Sequence, residues 1–220
     1  MIQTLLPATR TLVVLAAFGV AQAAFADPVT DDPFAAAMAE AAAGRHGAAA
    51  AGFHDLALQG DATAAHNLAL LLMTGRGVPR HHEEAAFWAW TAQLAGVTQA
   101  QAVVRQLMPG LDVAAQDRLA TRLEAALTPR AEAGDGAAML ALAVVLMHLR
   151  PLPDPVAGYG WQSIAAALDV PGAIAAREAT LGAMDQARQR EAEAAAWQAF
   201  ARWCAGRGAA APVGCAVVGD

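Results

Sequence analysis

Residues 60–73 read GDATAAHNLALLLM and residues 134–147 read GDGAAMLALAVVLM, with seven of these fourteen positions identical. The shared pairs are Gly60/Gly134, Asp61/Asp135, Ala64/Ala138, Leu68/Leu142, Ala69/Ala143, Leu72/Leu146 and Met73/Met147. One residue is then dropped and the register continues: Trp88 meets Trp161, Ala92 meets Ala165, Val97 meets Val170 and Asp112 meets Asp185. Alanine bias raises chance agreement, so the glycine, aspartate, leucine and tryptophan matches carry the weight. A unit of about 74 residues is used twice. Such a unit cannot bury its apolar face alone, so its copies must stack.

Composition tells what the unit is made of. The chain is 57% hydrophobic, much of it alanine, and only 5% aromatic. Alanine has the best intrinsic helix propensity and little bulk, whereas strands want the β-branched and aromatic residues that are sparse here. The fold class is all-α. Breakers mark the helices. Asp32-Pro33 reads as N-cap and N1 of a helix ending at Gly44, and a second runs from about Gly47 to Gln59. Asp61 caps a third, which reaches Met73 before the turn Gly75-Arg76-Gly77-Val78-Pro79. Others are expected at His82–Ala95, Thr98–Leu107 and Asp112–Leu127, then from Asp135 to just before Pro151. Asp154-Pro155, Pro171 and Asp185 open the last three, giving about ten in all.

The N-terminus has a different character. Arg10 precedes the short apolar stretch Thr11–Val20, and small residues lead to Ala24-Phe25-Ala26 before Asp27-Pro28. This is the pattern of a secretory signal peptide cleaved after Ala26, with Ala23 or Ala24 as fallback sites. The apolar run is shorter than the ~20 residues needed to cross a bilayer. The expectation is export to the periplasm, with secretion as the alternative and no stable membrane insertion after cleavage. All basic residues are arginines, they are dispersed, and the formal net charge is −6. A nucleic-acid interface requires a basic cluster, so no nucleic-acid partner is expected.

Residues 60–96 resemble a Sel1-like repeat, a relative of the tetratricopeptide repeat. The residues that carry the likeness are Gly60-Asp61, Ala64, Leu68, Gly75-Arg76-Gly77-Val78, Ala85, Trp88, Ala92 and Gly96. The second copy keeps Gly134-Asp135, Leu142 and Trp161, but His148–Asp154 replaces the glycine turn with prolines. The pair through Gly44, Ala49 and Phe53 looks like a degenerate tetratricopeptide unit. The resemblance implies an αα-hairpin solenoid with a right-handed superhelix. Its parts would be a leader (1–26), an N-terminal helix pair (27–59), two units (60–127 and 128–205) and a tail (206–220). Repeat-core positions are then Leu68, Leu72, Gly75, Gly77, Ala85, Trp88, Ala92, Gly96, Leu142, Leu146 and Trp161. The family's usual role implies an interaction scaffold or regulator that binds a protein or peptide of the cell envelope.

Residues that could carry chemistry are few. Ser163 is the only serine and falls mid-helix, without the glycine-flanked turn of a nucleophile elbow. The absence of lysine removes Ser–Lys dyads, P-loops and Schiff bases. His81-His82-Glu83-Glu84 is the one cluster that suggests a metal, yet Ala86 stands where an H-E-x-x-H site needs its second histidine. His46, His54 and His66 could join it only by folding. No catalytic residue, metal or cofactor is assigned. The rival classes are an envelope hydrolase acting on cell-wall material and a carrier of small molecules or lipids in the repeat groove.

Two further expectations follow. Cys204 and Cys215 are the only cysteines, and in an oxidising compartment they should pair across the flexible Gly/Ala-rich segment between them. The alternative is one buried and one disordered thiol. In repeats of this type the first helix of each pair faces the groove. Thr63, His66, Leu70, Met73 and Thr74, with Ala137, Leu140, Val144, Met147 and His148 in the second unit, then form the partner-binding stripe. Should the C-terminal helix or tail fill that groove, the same stripe is ordinary core. Trp90 is expected to fill an inter-helix groove or to be partly exposed.

Overall fold

A computed structural model describes residues 32–208 and 211–218. The expected leader and its cleavage after Ala26 lie outside these residues. Ten α-helices account for most of the described chain: α1 Pro33–Ala42, α2 His46–Leu58, α3 Ala62–Thr74, α4 His82–Leu94, α5 Ala100–Leu107, α6 Val113–Ala133, α7 Gly136–Val144, α8 Pro155–Ala167, α9 Ala173–Gly182 and α10 Gln186–Ala205. No strand occurs among the described residues.

Local chemistry places most of the starts. Aspartate side chains accept the backbone N–H two or three residues on at α1 (Asp32), α3 (Asp61), α6 (Asp112), α7 (Asp135), α8 (Asp154) and α10 (Asp185), at 2.7–3.1 Å. Each satisfies an amide that the helix itself leaves unpaired. His81 does the same for α4, its Nδ1 accepting the Glu84 N–H at 3.1 Å. One expected boundary is corrected: α6 does not stop at Leu127 but continues through Pro129 to Ala133. Proline removes a hydrogen bond to the carbonyl four residues back. Here that residue, Ala125, is exposed, so water can serve the carbonyl. The α6 C-terminus is set by Gly134, in the left-handed conformation at φ 100°.

Consecutive helices pack from α1 to α5 and again from α6 to α9, while α6 meets α4 and α10 meets α8. The main core is alanine-rich, with Phe53, Leu68, Trp88, Leu107, Leu119, Met139 and Ile164 as its larger members. Trp90 is buried, not partly exposed, because α5 and the following 3-10 turn cover it; its Nε1 donates to Met108 Sδ at 3.2 Å. The helices α7 to α10 repeat the order of α3 to α6, and the turn after the second helix of each set repeats in detail. Val97 N–H bonds to Ala92 O as Val170 N–H bonds to Ala165 O, both at 3.0 Å. Where the first copy has Gly96 at φ 94°, the second has Asp169 at φ 54°, the one described non-glycine residue with positive φ.

The two glycines of the α3–α4 turn have different duties. Gly75 terminates α3 with φ 73°. Gly77, at φ 77°, lies against the start of α2: a Cβ there would come within 2.2–2.4 Å of His46 C and O and Gly47 N. The turn is thus pressed onto the preceding helix pair, where Arg76 also meets His46 Nε2 at 2.7 Å. Across the second copy the corresponding connection differs. α7 ends in a π-helical turn, Val145–Leu149, and the prolines follow.

A crosslink follows α10. Cys204 and Cys215 form a disulfide with Cα atoms 5.5 Å apart, as expected, holding the 3-10 turn Val213–Val217 to the end of α10. Among the described residues no helix is long and apolar enough to cross a membrane.

Candidate partner-binding cleft

The expected stripe on α3 and α7 is only partly open. Thr63, Thr74, Ala137 and His148 are exposed, while His66, Leu70, Met73, Leu140, Val144 and Met147 are half-buried. Leu70, Met73, Leu140 and Val144 lean on the main core. Thr74 Oγ1 donates to Leu70 O at 2.7 Å, and partial burial pushes the His66 imidazole below its ordinary pKa. Met147 is packed beneath α8, where the absent side chain of Gly158 makes room for it, and its sulfur accepts from Thr180 Oγ1 at 3.7 Å. Of the expected core positions, Leu68, Ala85, Trp88, Ala92 and Leu142 are buried, whereas Leu72, Leu146 and Trp161 are half-buried.

Trp161 is half-buried because it lines a cleft. The cleft has a volume of about 1000 Å³ and lies between the end of α6, one face of α8 and the second half of α10. None of the stripe residues lines it. Its α8 wall is Ala157, Gly160, Trp161 and Ile164, spaced so that they share one helix face. Small residues of α10, Ala195 and Ala199, line it from the other side.

Long-range bonds close its rim. The α6 and α10 C-termini meet there: Trp203 Nε1 donates to Ala131 O at 3.4 Å, and the Arg207 guanidinium donates to Glu132 O and to Ala133 O (3.2 Å). Ala131 O already accepts the Gly134 N–H at 3.0 Å, whereas Glu132 O and Ala133 O are carbonyls that the end of α6 leaves unpaired, and a cation suits that end of the helix dipole. Arg207 also stacks 3.7 Å above the Trp203 ring. Arg202 lines the same rim, is exposed, and makes no ion pair among the described residues. No protein-family model matches the chain, and no curated protein matches it. What the cleft can do is therefore read from its own groups: two indole rings, two guanidiniums and the carboxylates of Glu132 and Asp154, of which Asp154 is engaged as the α8 cap.

The same face of the first copy is filled. Stepping back 73 residues turns Gly160 into Phe87, Ala157 into Glu84, Ala195 into Arg122 and Trp161 into Trp88. Phe87 packs edge-on against Trp88 at 5.0 Å, and the Arg122 guanidinium lies 3.6 Å over the Phe87 ring. Glu84 takes two hydrogen bonds from Arg122 (2.5 and 3.0 Å), and Glu83 takes two from Arg118 (2.8 and 2.9 Å). The second copy keeps the tryptophan and loses the rest. The internal alignment carries this signal, but it shows as the absence of side chains, which a search for motifs passes over.

The histidines are dispersed. His46 sits with Arg76, His54 meets Trp88 edge-on at 5.7 Å, and His81 caps α4. Among the described residues no three His, Cys, Asp or Glu side chains are placed to hold a metal. Ser163 lies half-buried within α8, away from any turn.

The filled face of the first copy has a pH signature. Hydrogen bonds from Arg118 hold the Glu83 carboxyl below its ordinary 4.5. Burial alone would raise Glu84, but hydrogen bonding and attraction from Arg122 outweigh it and hold that carboxyl low as well. Both groups stay charged in the folded chain at a pH where the unfolded chain takes up protons. Their contribution is complete above the ordinary carboxylate range and is lost as pH falls through the lowered values. Thermal melts between pH 7 and about pH 3 should show Tm falling less steeply in Glu83→Gln/Glu84→Gln than in the wild type. Equal slopes would mean that the pairs do not couple to folding.

Gly158 and Gly160 lie two apart on α8 and should respond oppositely to alanine. A Cβ at Gly158 would meet Met147 Cγ at 2.5 Å and Sδ at 2.9 Å, whereas at Gly160 the nearest atom is Ala199 Cβ at 3.8 Å. Gly158→Ala should cost about 1–3 kcal/mol through overpacking. Gly160→Ala should be neutral or stabilising by up to about 1 kcal/mol, because alanine is the better helix former. Urea melts of the two variants check the order; a reversed order would contradict this packing.

Proposed function

We propose that this chain is an exported, periplasmic αα-repeat protein of the Sel1-like and tetratricopeptide kind. It serves as an interaction scaffold that binds an envelope protein or peptide and catalyses no reaction. The reading of a right-handed solenoid rests on the sequence likeness of residues 60–96 and on the repeated order of α3–α6 in α7–α10. The partner site is the cleft between α6, α8 and α10, in place of the α3/α7 stripe. The observation that carries this is the change of face between the copies: the same helix surface carries Phe87, Glu84 and Arg122 in one, and only buried Gly160 and half-buried Ala157 and Ala195 in the other, beside a cleft of about 1000 Å³. Aromatic and arginine side chains around a concave site are what binding hot spots use.

The test is site-specific photo-crosslinking in living cells. A photoreactive phenylalanine analogue replaces Ala157 or Ala199 in the cleft, or exposed Ala102 on α5 as control. A discrete higher-mass adduct from the cleft positions and none from Ala102 supports the reading. No adduct, or the same adducts from all three, contradicts it.

A further inference from the structure

Two seams join the parts of the helix array: α3 packs on α2, and α7 packs on α6. At each seam an arginine just past the incoming helix reaches back to the helix before it. Arg76 meets His46 Nε2 at 2.7 Å at the start of α2, and Arg150 Nη2 donates to Glu124 Oε2 of α6 at 2.6 Å. Three positions of the incoming helix are buried in both cases: Ala65, Leu68 and Leu71 after the Asp61 cap, and Met139, Leu142 and Val145 after the Asp135 cap. α1 opens on the same aspartate cap, Asp32, but no described helix precedes it. Counted from that cap, the three positions are Ala36, Ala39 and Ala42, and all are exposed. Arg45, just past α1, pairs instead with Glu40 of its own helix, at 2.5 and 2.9 Å. The other end of the array is bare in a matching way. α10 stands to its unit as α6 does, so 73 residues on, buried Ala120 becomes Glu193 and ion-paired Glu124 becomes Trp197. Glu193 is exposed and makes no ion pair among the described residues, and Trp197 is 56% exposed. The disulfide-held turn reaches only the far end of this face, where a Cβ built on Gly214 would lie 3.8 Å from Phe200.

We infer that copies of this chain stack head to tail, α1 of one copy lying on α10 of the preceding copy as α7 lies on α6. The contact continues the seam that the chain already makes within itself. Trp197 enters the surface of Ala36, Ala39 and Ala42, whose small side chains admit an indole, and supplies the buried aromatic anchor. Arg45 exchanges Glu40 for Glu193 of the preceding copy, repeating the reach of Arg150 to Glu124. The Arg45–Glu40 pair is exposed and contributes little, so the exchange costs little. The two surfaces differ, so the contact is heterologous: it builds an open row or a ring, and not a two-fold dimer. At about 100° per residue, Ala195, Ala199 and Arg202 of the cleft lie on the far side of α10 from Trp197, so stacking does not use the cleft.

Sedimentation velocity of the chain from Asp27 onward, at about 10 µM to about 1 mM, covers the range of a weak contact. Two variants each block one end. Ala39→Glu sets a charge on the α1 surface and Trp197→Glu removes the indole; both positions are exposed, so both variants should melt as the wild type does. The wild type should exceed the mass of a dimer at the upper concentrations. Each variant alone should stay monomeric, and their equimolar mixture should give a dimer and nothing larger, because each keeps the end that the other lacks. Arg45→Glu should weaken assembly several-fold, and adding Glu193→Arg to the same chain should restore it. A wild type that is monomeric throughout, a variant that assembles like the wild type, or a mixture that stays monomeric overturns the inference. So does a wild type that stops at a dimer and keeps it in Ala39→Glu, the mark of α10 packing on its own copy. None of these outcomes bears on the cleft, which the cross-linking test decides.

Discussion

Replacing Gly77 with alanine should lower the stability of the chain by about 3 kcal/mol or more, the largest effect expected of any single methyl group added here. Two costs add. At φ 77° an L-residue occupies the left-handed region, at about 1–2 kcal/mol. The new Cβ would also fall within 2.4 Å of three backbone atoms of His46 and Gly47. Backbone cannot rotate away as a side chain can, so the α3–α4 turn must lift from α2, at a further 1–3 kcal/mol or so. For a chain of this size each kcal/mol moves Tm by roughly 2–4 °C, so a fall of about 6–12 °C is expected. Gly75→Ala carries the same φ cost but meets only Arg80, at 3.4 Å, and should lose about half as much. Equal losses at the two positions would show that the turn does not press on α2.

The second large effect belongs to the disulfide. Changing both Cys204 and Cys215 to serine removes a crosslink that closes a loop with sequence separation 11. Loop-closure entropy puts its contribution at roughly 2–3 kcal/mol, the upper end holding only if the unfolded tail is unstructured. Both sulfurs sit in buried residues, so the loss should show as a lower Tm and as faster proteolysis after Trp203 and Arg207, the residues that join α10 to α6. Mass spectrometry without reductant checks the starting point: the purified chain should present no alkylatable thiol. Two alkylated cysteines, or a double variant as stable as wild type, would contradict it.

What was legible in the sequence was what neighbouring residues decide. Asp61, Asp112, Asp135, Asp154 and Asp185 each cap a helix through the amide three positions on, so their role is set within one turn of chain. The pairing of Cys204 with Cys215 is similarly close in sequence, and the chain has no other cysteine to compete for it. The end of α6 was missed because Pro129 reads as a stop, and only the exposure of Ala125 makes it tolerable. The burial of Trp90 depends on Met108, eighteen residues away, folding over it. The cleft was the least legible feature. Its rim is made by Arg207 and Trp203 reaching α6 carbonyls 72 to 75 residues earlier, and its floor by side chains that are not there. The stripe on α3 and α7 has the right chemistry for a groove, but Leu70 and Val144 lean on the core and Met147 is packed beneath α8 at Gly158. Helical periodicity says which residues share a face. It does not say which face the neighbouring helices leave open.

The central claim is that the partner lies in the cleft of the second copy. Hydrogen–deuterium exchange of the full chain, alone and with the partner recovered by cross-linking, tests it most directly. Added protection should fall on α8 within residues 155–164 and on α10 within residues 195–207, with α3 exchanging as before. Protection confined to residues 62–74 and 136–147, with α8 and α10 unchanged, would put the partner on the α3/α7 stripe and contradict the account.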